Sequence, residues 1–525
     1  MPASSPTLRT KRHPAIAIAR GAILLPLLIG LYLAGLGSVP LIDPDEGRYA
    51  EIPREMLADQ DFVTPHLNGV AFLEKPPLYF WLESVSIFAF GLNETAFRLC
   101  SALFGLAGLA VAYILARSMS DRRSAWQATL ILATSPLYII LAHLNTIDMT
   151  LSFFLTACLA CFWLAHDRTP GRTGQLLYLG MFAASAGAVL SKGLIGIAIP
   201  GAVIAAYLLI TGRWGCLKHA PWIAGITLFL LLALPWHALV ALQHPEFLAL
   251  YFVREHFLRF ATSYAHAQSP YWYYAPVLLA GMLPWTGLLP MTIPLFRASS
   301  VRTVIRERPH LVFLALWSGI IVFLFSLSRG KLATYVLPAL MPLAILAALA
   351  WREAIRARQF ARLRSGLILS MVALGAIAMT LALVAAGKLT WLFAPVALAP
   401  FIPAAALFTC CAAAITVVQT LLNRPARSFS LAALSAASLF GCLWLAAPVI
   451  AETRSTRELA SSVRTKVPPE ADLFAYRIYP QSLPVYMERL IGVADWTGEL
   501  GAGLTKLPEQ ERAHRFPSAR EIEVR

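Results

Sequence analysis

The chain has 525 residues, 58% of them hydrophobic and 14% charged, and 43 Lys and Arg against 28 Asp and Glu give a formal net charge of +15. The mean hydropathy is +0.66, which excludes an ordinary water-soluble domain, because such a chain could not cover its surface with polar groups. The positive charges lie in loops between apolar segments, so they do not indicate nucleic-acid binding.

Apolar segments recur along the chain from about residue 20 to residue 450. A spanning helix needs roughly 20 residues to cross the hydrocarbon core. Helices are expected because a segment in lipid must satisfy its own backbone hydrogen bonds. We therefore predict an all-α polytopic membrane protein with about thirteen transmembrane helices. They are placed at 20–42, 95–116, 125–142, 149–166, 174–191, 194–211, 220–242, 272–295, 310–328, 332–351, 365–386, 396–421 and 429–450.

Basic residues occupy every second connection between these helices. They lie in the connections at 9–20, 117–123, 168–172, 213–218, 297–308, 352–364 and 424–427. Because basic loops stay in the cytoplasm, we predict a cytoplasmic N-terminus and an outer location for the tail after residue 450. The sequence around Ile42 lacks a small-residue cleavage site, so the first apolar segment is expected to stay as an anchor.

Two connections on the predicted outer side are long and polar, at 43–94 and 243–271. Long loops on a compact helical body usually carry function. Residues 49–57 have charged and apolar sides, which predicts a short amphipathic helix lying in the membrane interface.

The tail is far more polar than the rest of the chain and contains turn signals such as Pro468-Pro469 and Pro480. The segments 473–479 and 483–486 are predicted strands. We therefore expect two domains, a transmembrane domain at 1–450 and a small outer α/β domain at 451–525.

The densest cluster of ionisable groups follows the first predicted helix and includes Asp45 and Arg48, with the pair Glu74-Lys75 later in the same loop. Several carboxylates with cations at a membrane surface supply acid, base and anion-binding groups. The alternative is solvated loop charge together with a helix cap at Asp43 or Asp45.

Three further residues could face the same region. Asp148 begins the fourth predicted helix; it is either an N-cap or the mark of a functional cavity, because an acid at membrane depth is costly. Lys331 and Tyr335 are four residues apart, which in a helix places a cation and a phenol on one side, where they could bind phosphate. A snorkelling anchor is the alternative for Lys331, as it is for Lys192.

The second long loop contributes His256 and Arg259. His256 could hold a divalent metal ion together with Glu74, and a hydrogen-bonded structural histidine is the competing interpretation. No other cofactor is indicated by the sequence.

Acids and cations thus gather on one face of the predicted membrane domain. Transfer from an anionic lipid carrier needs such groups, because cations disperse the charge of the leaving phosphate and a carboxylate orients or deprotonates the acceptor. A flippase or transporter for the lipid carrier is the rival, but it would place ionisable groups at the midplane and on both faces. No Gly-rich phosphate loop with lysine supports an ATP-driven pump.

Several blocks of the sequence are specific enough to carry a family resemblance. They are Asp45-Glu46-Gly47-Arg48-Tyr49-Ala50-Glu51, Leu67-Asn68-Gly69, Phe72-Leu73-Glu74-Lys75-Pro76-Pro77-Leu78, Glu255-His256-Phe257-Leu258-Arg259-Phe260, the segment Ser328-Arg329-Gly330-Lys331-Leu332-Ala333-Thr334-Tyr335-Val336-Leu337-Pro338, and Tyr479-Pro480-Gln481-Ser482-Leu483-Pro484-Val485-Tyr486. In these blocks the chain resembles the bacterial lipid A 4-amino-4-deoxy-L-arabinose transferases, members of the protein O-mannosyltransferase-like group of C-type glycosyltransferases. The resemblance implies a multi-pass protein of the bacterial inner membrane with a periplasmic active site and a periplasmic C-terminal domain.

The resemblance also implies roles for individual residues. Asp45, Glu74 and Asp148 correspond to catalytic acids. The residues that correspond to carrier-phosphate and substrate contacts are Arg48, Lys75, Arg259, Lys331 and Tyr335. The implied donor is a sugar linked to undecaprenyl phosphate, most specifically aminoarabinose, and the implied acceptor is a phosphate of lipid A. Related members move mannose or other sugars to proteins or lipids, so another polyprenyl-phosphate sugar with a protein or lipid acceptor is the alternative.

Overall fold

The computed structural model describes residues 14–166, 171–258, 269–297, 299–388, 401–518 and 521. Helices dominate this part of the chain, and we number the α-helices in chain order. They are α1 (Pro14–Leu33), α2 (Asp45–Asp59), α3 (Leu78–Phe90), α4 (Glu94–Met119), α5 (Arg122–Ala133), α6 (Pro136–Ala142), α7 (Ile147–His166), α8 (Arg172–Lys192), α9 (Ile195–Thr211), α10 (Trp222–Gln243), α11 (Tyr274–Gly281), α12 (Val301–Glu307), α13 (Pro309–Leu327), α14 (Leu340–Arg356), α15 (Phe360–Ala385), α16 (Ile402–Leu421), α17 (Pro425–Glu452), α18 (Arg457–Lys466), α19 (Ser482–Met487), α20 (Gly501–Leu504) and α21 (Glu509–Arg515).

Other regular segments are short. A π-helix covers Ala249–Leu258, and 3-10 helices cover Trp214–His219, Trp285–Phe296, Ala333–Ala339 and Gly498–Leu500. The strands are β1 (His66–Leu67), β2 (Val70–Ala71), β3 (Phe474–Tyr476) and β4 (Gly492–Ala494).

The predicted all-α polytopic fold is confirmed. Within the described residues, nine helices are long and apolar enough to cross a membrane, or eleven if two bent pairs each form one span. The two pairs are α5 with α6, bent by 66°, and α11 with Trp285–Phe296, bent by 110°. The other two predicted spans coincide with α1 and α9, whose apolar helical stretches in the described part are shorter. Each predicted position therefore coincides with helix among the described residues, although length and composition alone qualify fewer than thirteen spans. The beginning of the span predicted at 396–421 lies outside the described residues.

The first helix ends earlier than predicted, at Leu33 rather than near residue 42. Gly35 has a φ of +74°, and a glycine in the left-handed region just after a helix is a common stop signal. The residues between Leu33 and Asp45 are therefore not part of a long helix, and they lead the chain to the start of α2 at the charged cluster of the first long loop.

The predicted amphipathic helix exists as α2, but it does not lie exposed on an interface. Glu51 is fully buried and forms ion-pair hydrogen bonds with Arg54 at 2.6 and 2.7 Å. Ile52 and Met56 pack into an apolar cluster that also contains residues of α3 and of the tail. The helix is thus enclosed by protein on several sides.

A buried ion pair anchors the start of α2 to the membrane domain. Arg98 of α4 is fully buried and donates to both carboxylate oxygens of Glu46, at 2.8 and 2.7 Å. Its remaining donors go to the carbonyls of Leu36, Val39 and Pro40. Because a buried charge is tolerated only when it is paired and hydrogen-bonded, this pair holds the residues next to Glu46 in place.

The tail forms a small unit with little sheet. Strands β3 and β4 pair in parallel, with Phe474 opposite Gly492 and Tyr476 opposite Ala494. The first predicted strand is therefore found in part, at Phe474–Tyr476. The second prediction was wrong, because residues 482–487 form helix α19, whose Pro484 has no N–H for a strand ladder but is tolerated in the first turn of a helix.

The tail packs on the first long loop rather than extending away from it. Asn68, at the turn between β1 and β2, exchanges two hydrogen bonds with the backbone of Ile491, at 2.9 and 3.0 Å. Asp43 accepts bonds from the N–H and the hydroxyl of Ser482, at 2.8 and 3.0 Å. These contacts bring residues of the tail to the N-terminal end of α2.

Candidate active site

A pocket lies where the start of α7 and the end of α8 meet the first long loop and the segment 328–338. It contains about 890 Å³ of space not filled by protein atoms. One wall is apolar and includes Leu151, Leu155, Ile199 and Phe325. The polar wall consists of Glu74, Lys75, Asp148, Lys192, Ser328, Thr334 and Tyr335. Four residues predicted from the sequence, two acids with a lysine and a tyrosine, thus line one cavity.

Asp148 forms a hydrogen-bonded ion pair with Lys192. Both side chains are largely buried, with 13% of Asp148 and 18% of Lys192 exposed. Asp148 lies in the first turn of α7, where the helix dipole favours an anion, and Lys192 lies at the end of α8, where the dipole favours a cation. The ammonium of Lys192 also lies 5.0 Å from the centre of the Tyr335 ring, within the range of a cation–π interaction.

Lys192 was not among the predicted site residues. A lysine at the end of an apolar helix is typical of a snorkelling anchor. The local sequence therefore does not reveal the ion pair with Asp148. The neighbouring Ser191 and Gly193 mark a helix end, but only the packing of α8 on α7 shows that the lysine points at an acid.

Glu74 and Lys75 lie in the irregular segment that precedes Pro76 and Pro77. Both line the pocket, and Lys75 Nζ donates to the Glu74 carbonyl at 3.2 Å. The two prolines prevent the preceding residues from joining helix α3, so these side chains are presented from a loop that faces α7 and α8.

Lys331 is placed differently from Tyr335. Its Nζ donates to the carbonyls of Ser269 and Ser328, at 3.0 and 2.5 Å, and burial lowers its pKa. Tyr335 lines the pocket, whereas Lys331 does not. The α-helical spacing assumed for these two side chains is not found, because Tyr335 lies in a 3-10 helix that begins at Ala333, after Lys331. Phosphate binding by Lys331 together with Tyr335 stays a prediction.

Asp45 and Arg48 lie beside the pocket and are not part of its lining. Asp45 is the first residue of α2, with 59% of its side chain exposed, and its carboxylate is 3.4 Å from Nη1 of Arg48. Arg48 Nη2 is 2.8 Å from Glu499 of the tail, and Arg48 Nε donates to Gln481 at 3.2 Å. Arg48 also interacts electrostatically with Glu74, so the cluster adjoins the pocket at that residue.

Glu499 is a further residue that the sequence analysis missed. Together with Glu74 it lines a second cavity, of about 430 Å³, between the first long loop, the π-helix and the tail. Burial raises the pKa of Glu499, while Arg48 opposes that rise. Nothing in its local sequence marks it, because a single acid in a polar tail is ordinary.

The predicted cap at Asp43 or Asp45 does not belong to α2. The residue before α2 is Pro44, and no side chain caps that helix end. Asp43 instead binds the first residue of α19 in the tail. Burial raises the pKa of Asp43 to about 6, and the bonds from Ser482 limit the rise.

Two predicted residues cannot be placed. Arg259 lies outside the described residues, and the description of His256 is confined to its backbone in the π-helix Ala249–Leu258. Among the described residues, no group of three His, Cys, Asp or Glu side chains is arranged to hold a metal ion. The metal pair of Glu74 with His256 stays a prediction.

Several known proteins are similar to this chain. Residues 24–251 match the family model of dolichyl-phosphate-mannose-protein mannosyltransferases. Over 377 residues the chain is 33% identical to the undecaprenyl phosphate-α-4-amino-4-deoxy-L-arabinose arabinosyl transferase of Edwardsiella ictaluri, covering 71% of this chain and 67% of that protein. It is 35% identical over 330 residues to arabinosyl transferase 2 of Proteus mirabilis, covering 62% of this chain and 59% of that protein. The matched part thus spans under two thirds of the Proteus relative.

Solved structures extend the likeness to nearly the whole chain. The crystal structure of ArnT from Cupriavidus metallidurans bound to undecaprenyl phosphate superposes with a TM-score of 0.83 at 27% identity, covering 96% of this chain and 91% of that chain. The apo structure of the same protein gives a TM-score of 0.80 at 26% identity, covering 97% of this chain and 90% of that chain. The superposed region includes the tail, beyond the residues that the family model matches.

Proposed function

The chain belongs to the family of undecaprenyl phosphate-α-4-amino-4-deoxy-L-arabinose arabinosyl transferases, and we propose that it is a glycosyltransferase of this kind. It transfers 4-amino-4-deoxy-L-arabinose from undecaprenyl phosphate to a phosphate of lipid A. The observation that carries the proposal is that Lys75, Lys192, Tyr335, Glu74 and Asp148 all line one pocket.

The two walls of the pocket suit the two parts of a lipid-phosphate donor. The apolar wall of Leu151, Leu155 and Phe325 accommodates part of the isoprenoid chain. Burial of such a chain is favoured by about 25 cal/mol for each Å² removed from water. The ammonium groups of Lys75 and Lys192 bind the phosphate as charge-assisted donors. The crystal structure of the relative from Cupriavidus metallidurans, with undecaprenyl phosphate bound, supports undecaprenyl phosphate as the lipid carrier.

The chemistry is a direct displacement at the anomeric carbon of the sugar. An oxygen of the acceptor phosphate forms the new bond while the bond from the anomeric carbon to the carrier phosphate breaks, and the electron pair leaves with that phosphate. Lys75 and Lys192 disperse the developing negative charge, which is where preorganised cations accelerate a reaction most. A singly ionised acceptor phosphate needs no strong base, and its remaining P–OH donates to the carboxylate of Asp45, which therefore acts chiefly by orienting the acceptor.

Asp148 gives the pocket its preference for an amino sugar. Its carboxylate lies inside the cavity and is held by Lys192. An ammonium group on the donor sugar adds a second cation to this carboxylate, whereas a neutral hydroxyl adds a weaker hydrogen bond.

We also assign the orientation in the inner membrane, with the N-terminus in the cytoplasm and the site and the domain 451–525 in the periplasm. The basic residues in alternate loops support this orientation, because loops rich in Lys and Arg stay in the cytoplasm. Asp121 pairs with Arg352 at 2.7 Å and with Arg356 at 3.2 Å, so two loops predicted to be cytoplasmic meet. Helix α4 separates Asp121 from the site end, and its 26 residues span about 39 Å at 1.5 Å per residue.

A second candidate is transfer of mannose or another carrier-linked sugar to a protein or lipid. The match of residues 24–251 to the protein mannosyltransferase model favours it, because that segment contains Asp45, Glu74, Asp148 and Lys192. A comparison of carrier-linked aminoarabinose with carrier-linked mannose as donors separates the two functions.

The decisive experiment uses purified full-length protein with undecaprenyl-phosphate aminoarabinose and lipid A, read by mass spectrometry. We expect a pentosamine mass gain on lipid A that Asp45→Asn and Lys75→Ala abolish without unfolding the protein. Transfer at the normal rate by Asp45→Asn would refute the role of that residue. No gain with well-folded wild-type protein would refute this donor and acceptor, and other carrier-linked sugars would then be tested.

A further inference from the structure

We propose that Glu499, in the tail, is a positioning residue for the transfer reaction. It holds the guanidinium of Arg48 and so leaves the carboxylate of Asp45 available to the acceptor. The inference rests on the proposed function, because it assigns Glu499 a part in the same reaction.

Three groups hold Arg48, and they are unequal. Glu499 contacts Nη2 at 2.8 Å and Gln481 accepts from Nε at 3.2 Å, whereas Asp45 is 3.4 Å from Nη1. The side chains of Arg48 and Glu499 are 19% and 17% exposed, but that of Asp45 is 59% exposed. A short contact between two largely desolvated charges is stronger than a longer one to a solvated carboxylate. Glu499 is therefore the dominant partner of Arg48.

Gln481 fixes the direction of this pair. Its amide oxygen accepts from Arg48, and its amide nitrogen donates to Glu499. The three side chains are linked in a closed triangle by two hydrogen bonds and one ion pair, so the orientation of each depends on the other two. Two of the three belong to the tail, so the tail completes the cluster next to Glu74.

The backbone shows why the tail can come so close. Gly47 of α2 faces the peptide between Gln481 and Ser482, and a Cβ on Gly47 would lie 2.6 Å from the carbonyl carbon of Gln481. The missing side chain thus allows α19 to begin directly against α2. Asp43 binds the N–H and hydroxyl of Ser482 at the same place, which holds the two helices together.

Removal of the Glu499 charge has a definite consequence for Asp45. Arg48 stays charged, because an arginine does not lose its proton in proteins, and Asp45 is the remaining carboxylate in ion-pair contact with it among the described residues. The guanidinium then turns towards Asp45 and occupies the oxygens that would orient the acceptor. The reaction slows even though the carrier-phosphate contacts of Lys75 and Lys192 are intact.

The test is steady-state transfer by full-length Glu499→Gln, an isosteric change. We expect kcat to fall by about tenfold to a hundredfold, the scale of a small misplacement in an active site, with the KM for the carrier-linked donor within about threefold of wild type. The control is Glu488→Gln, which removes an exposed ion pair with Arg464 of similar length, 2.9 Å, in the same unit and should leave both constants unchanged. Glu499→Asp keeps the charge and should give an intermediate kcat.

A double-mutant cycle with Arg48→Ala separates positioning from a merely structural role. If Glu499 acts through Arg48, Glu499→Gln causes no further loss of kcat when Arg48 is already absent. A loss of kcat that persists in the Arg48→Ala background overturns the proposal. A loss of kcat in Glu499→Gln that comes with a changed donor KM and a lower unfolding temperature also overturns it. So does a folded Glu499→Gln enzyme with normal kcat. Those outcomes leave the proposed function intact, whereas a wild-type chain that transfers no carrier-linked sugar overturns both.

Discussion

The pairing of Lys192 with Asp148 leads to a prediction about Lys192→Met, which keeps the length and apolar body of the side chain but removes its charge. The change leaves a carboxylate with 13% of its side chain exposed without its cation. Removing one partner of a buried pair typically costs about 3–5 kcal/mol, and the partial exposure of both groups places the expected loss of stability at the lower end of that range.

The same change removes one of the two cations assigned to the leaving phosphate. Loss of one preorganised donor to a developing negative charge typically lowers the rate by about a hundredfold to a thousandfold. We therefore expect Lys192→Met to lower kcat/KM for transfer to this extent and to lower the unfolding temperature. The assay is transfer to lipid A by mass spectrometry, with thermal unfolding in detergent measured on the same preparations.

The double variant Asp148→Asn with Lys192→Met separates the two effects, since it leaves no unpaired charge. It should regain most of the lost stability and none of the lost rate. Lys218→Met, at an exposed position in a predicted cytoplasmic loop, is the matched control and should change neither. A Lys192→Met protein with transfer within threefold of wild type and an unchanged unfolding temperature would refute the reasoning.

Three further predictions concern the contacts that hold the site together. Gly47→Ala should lower the unfolding temperature and the transfer rate, because the new Cβ meets the backbone of the tail. Gly441→Ala should lower neither, because its Cβ meets nothing within 4 Å. Equal unfolding temperatures of the two variants would contradict the packing argument. Burial raises the pKa of Asp43 from 3.8 to about 6. Between these pH values the folded state keeps a proton on Asp43 that the unfolded state has lost. The contribution of Asp43 to stability should therefore fall as the pH rises from about 4 to 6 and then level off. Asp43→Asn should flatten that part of the pH profile of thermal unfolding, and an unchanged slope would count against the assignment. Arg98→Met should lower the free energy of unfolding by about 3–5 kcal/mol, because it leaves Glu46 buried without its cation. A decrease below about 1 kcal/mol, measured by chemical unfolding in detergent, would mean that the pair is dispensable.

The helices were predictable because lipid imposes its own requirement on the chain. Each predicted span coincides with helical segments among the described residues, since hydrocarbon excludes unpaired backbone groups. The errors are at ends and bends. The first helix ends at Leu33, two residues before Gly35, and Pro284 separates α11 from a 3-10 helix. Hydropathy averaged over a window does not detect such features.

Part of the candidate site was also predictable from residue type. Glu74, Lys75, Asp148 and Tyr335 were selected as ionisable or phenolic groups on one predicted face, and all four line the pocket. Lys331 shows the limit of that reasoning, because its orientation depended on an assumed α-helical spacing. Two backbone carbonyls hold its ammonium group instead.

The sequence by itself determined that this chain crosses a membrane many times and collects its acids and cations at one face, because hydrophobicity, span length and loop charge act locally along the chain. Only the tertiary structure decided which charges meet. Lys192 finds Asp148 across 44 positions, and Asp43 binds Ser482 across 439. Such pairs depend on how helices and tail pack together, and packing is governed by shape and desolvation between distant segments, which no local pattern records.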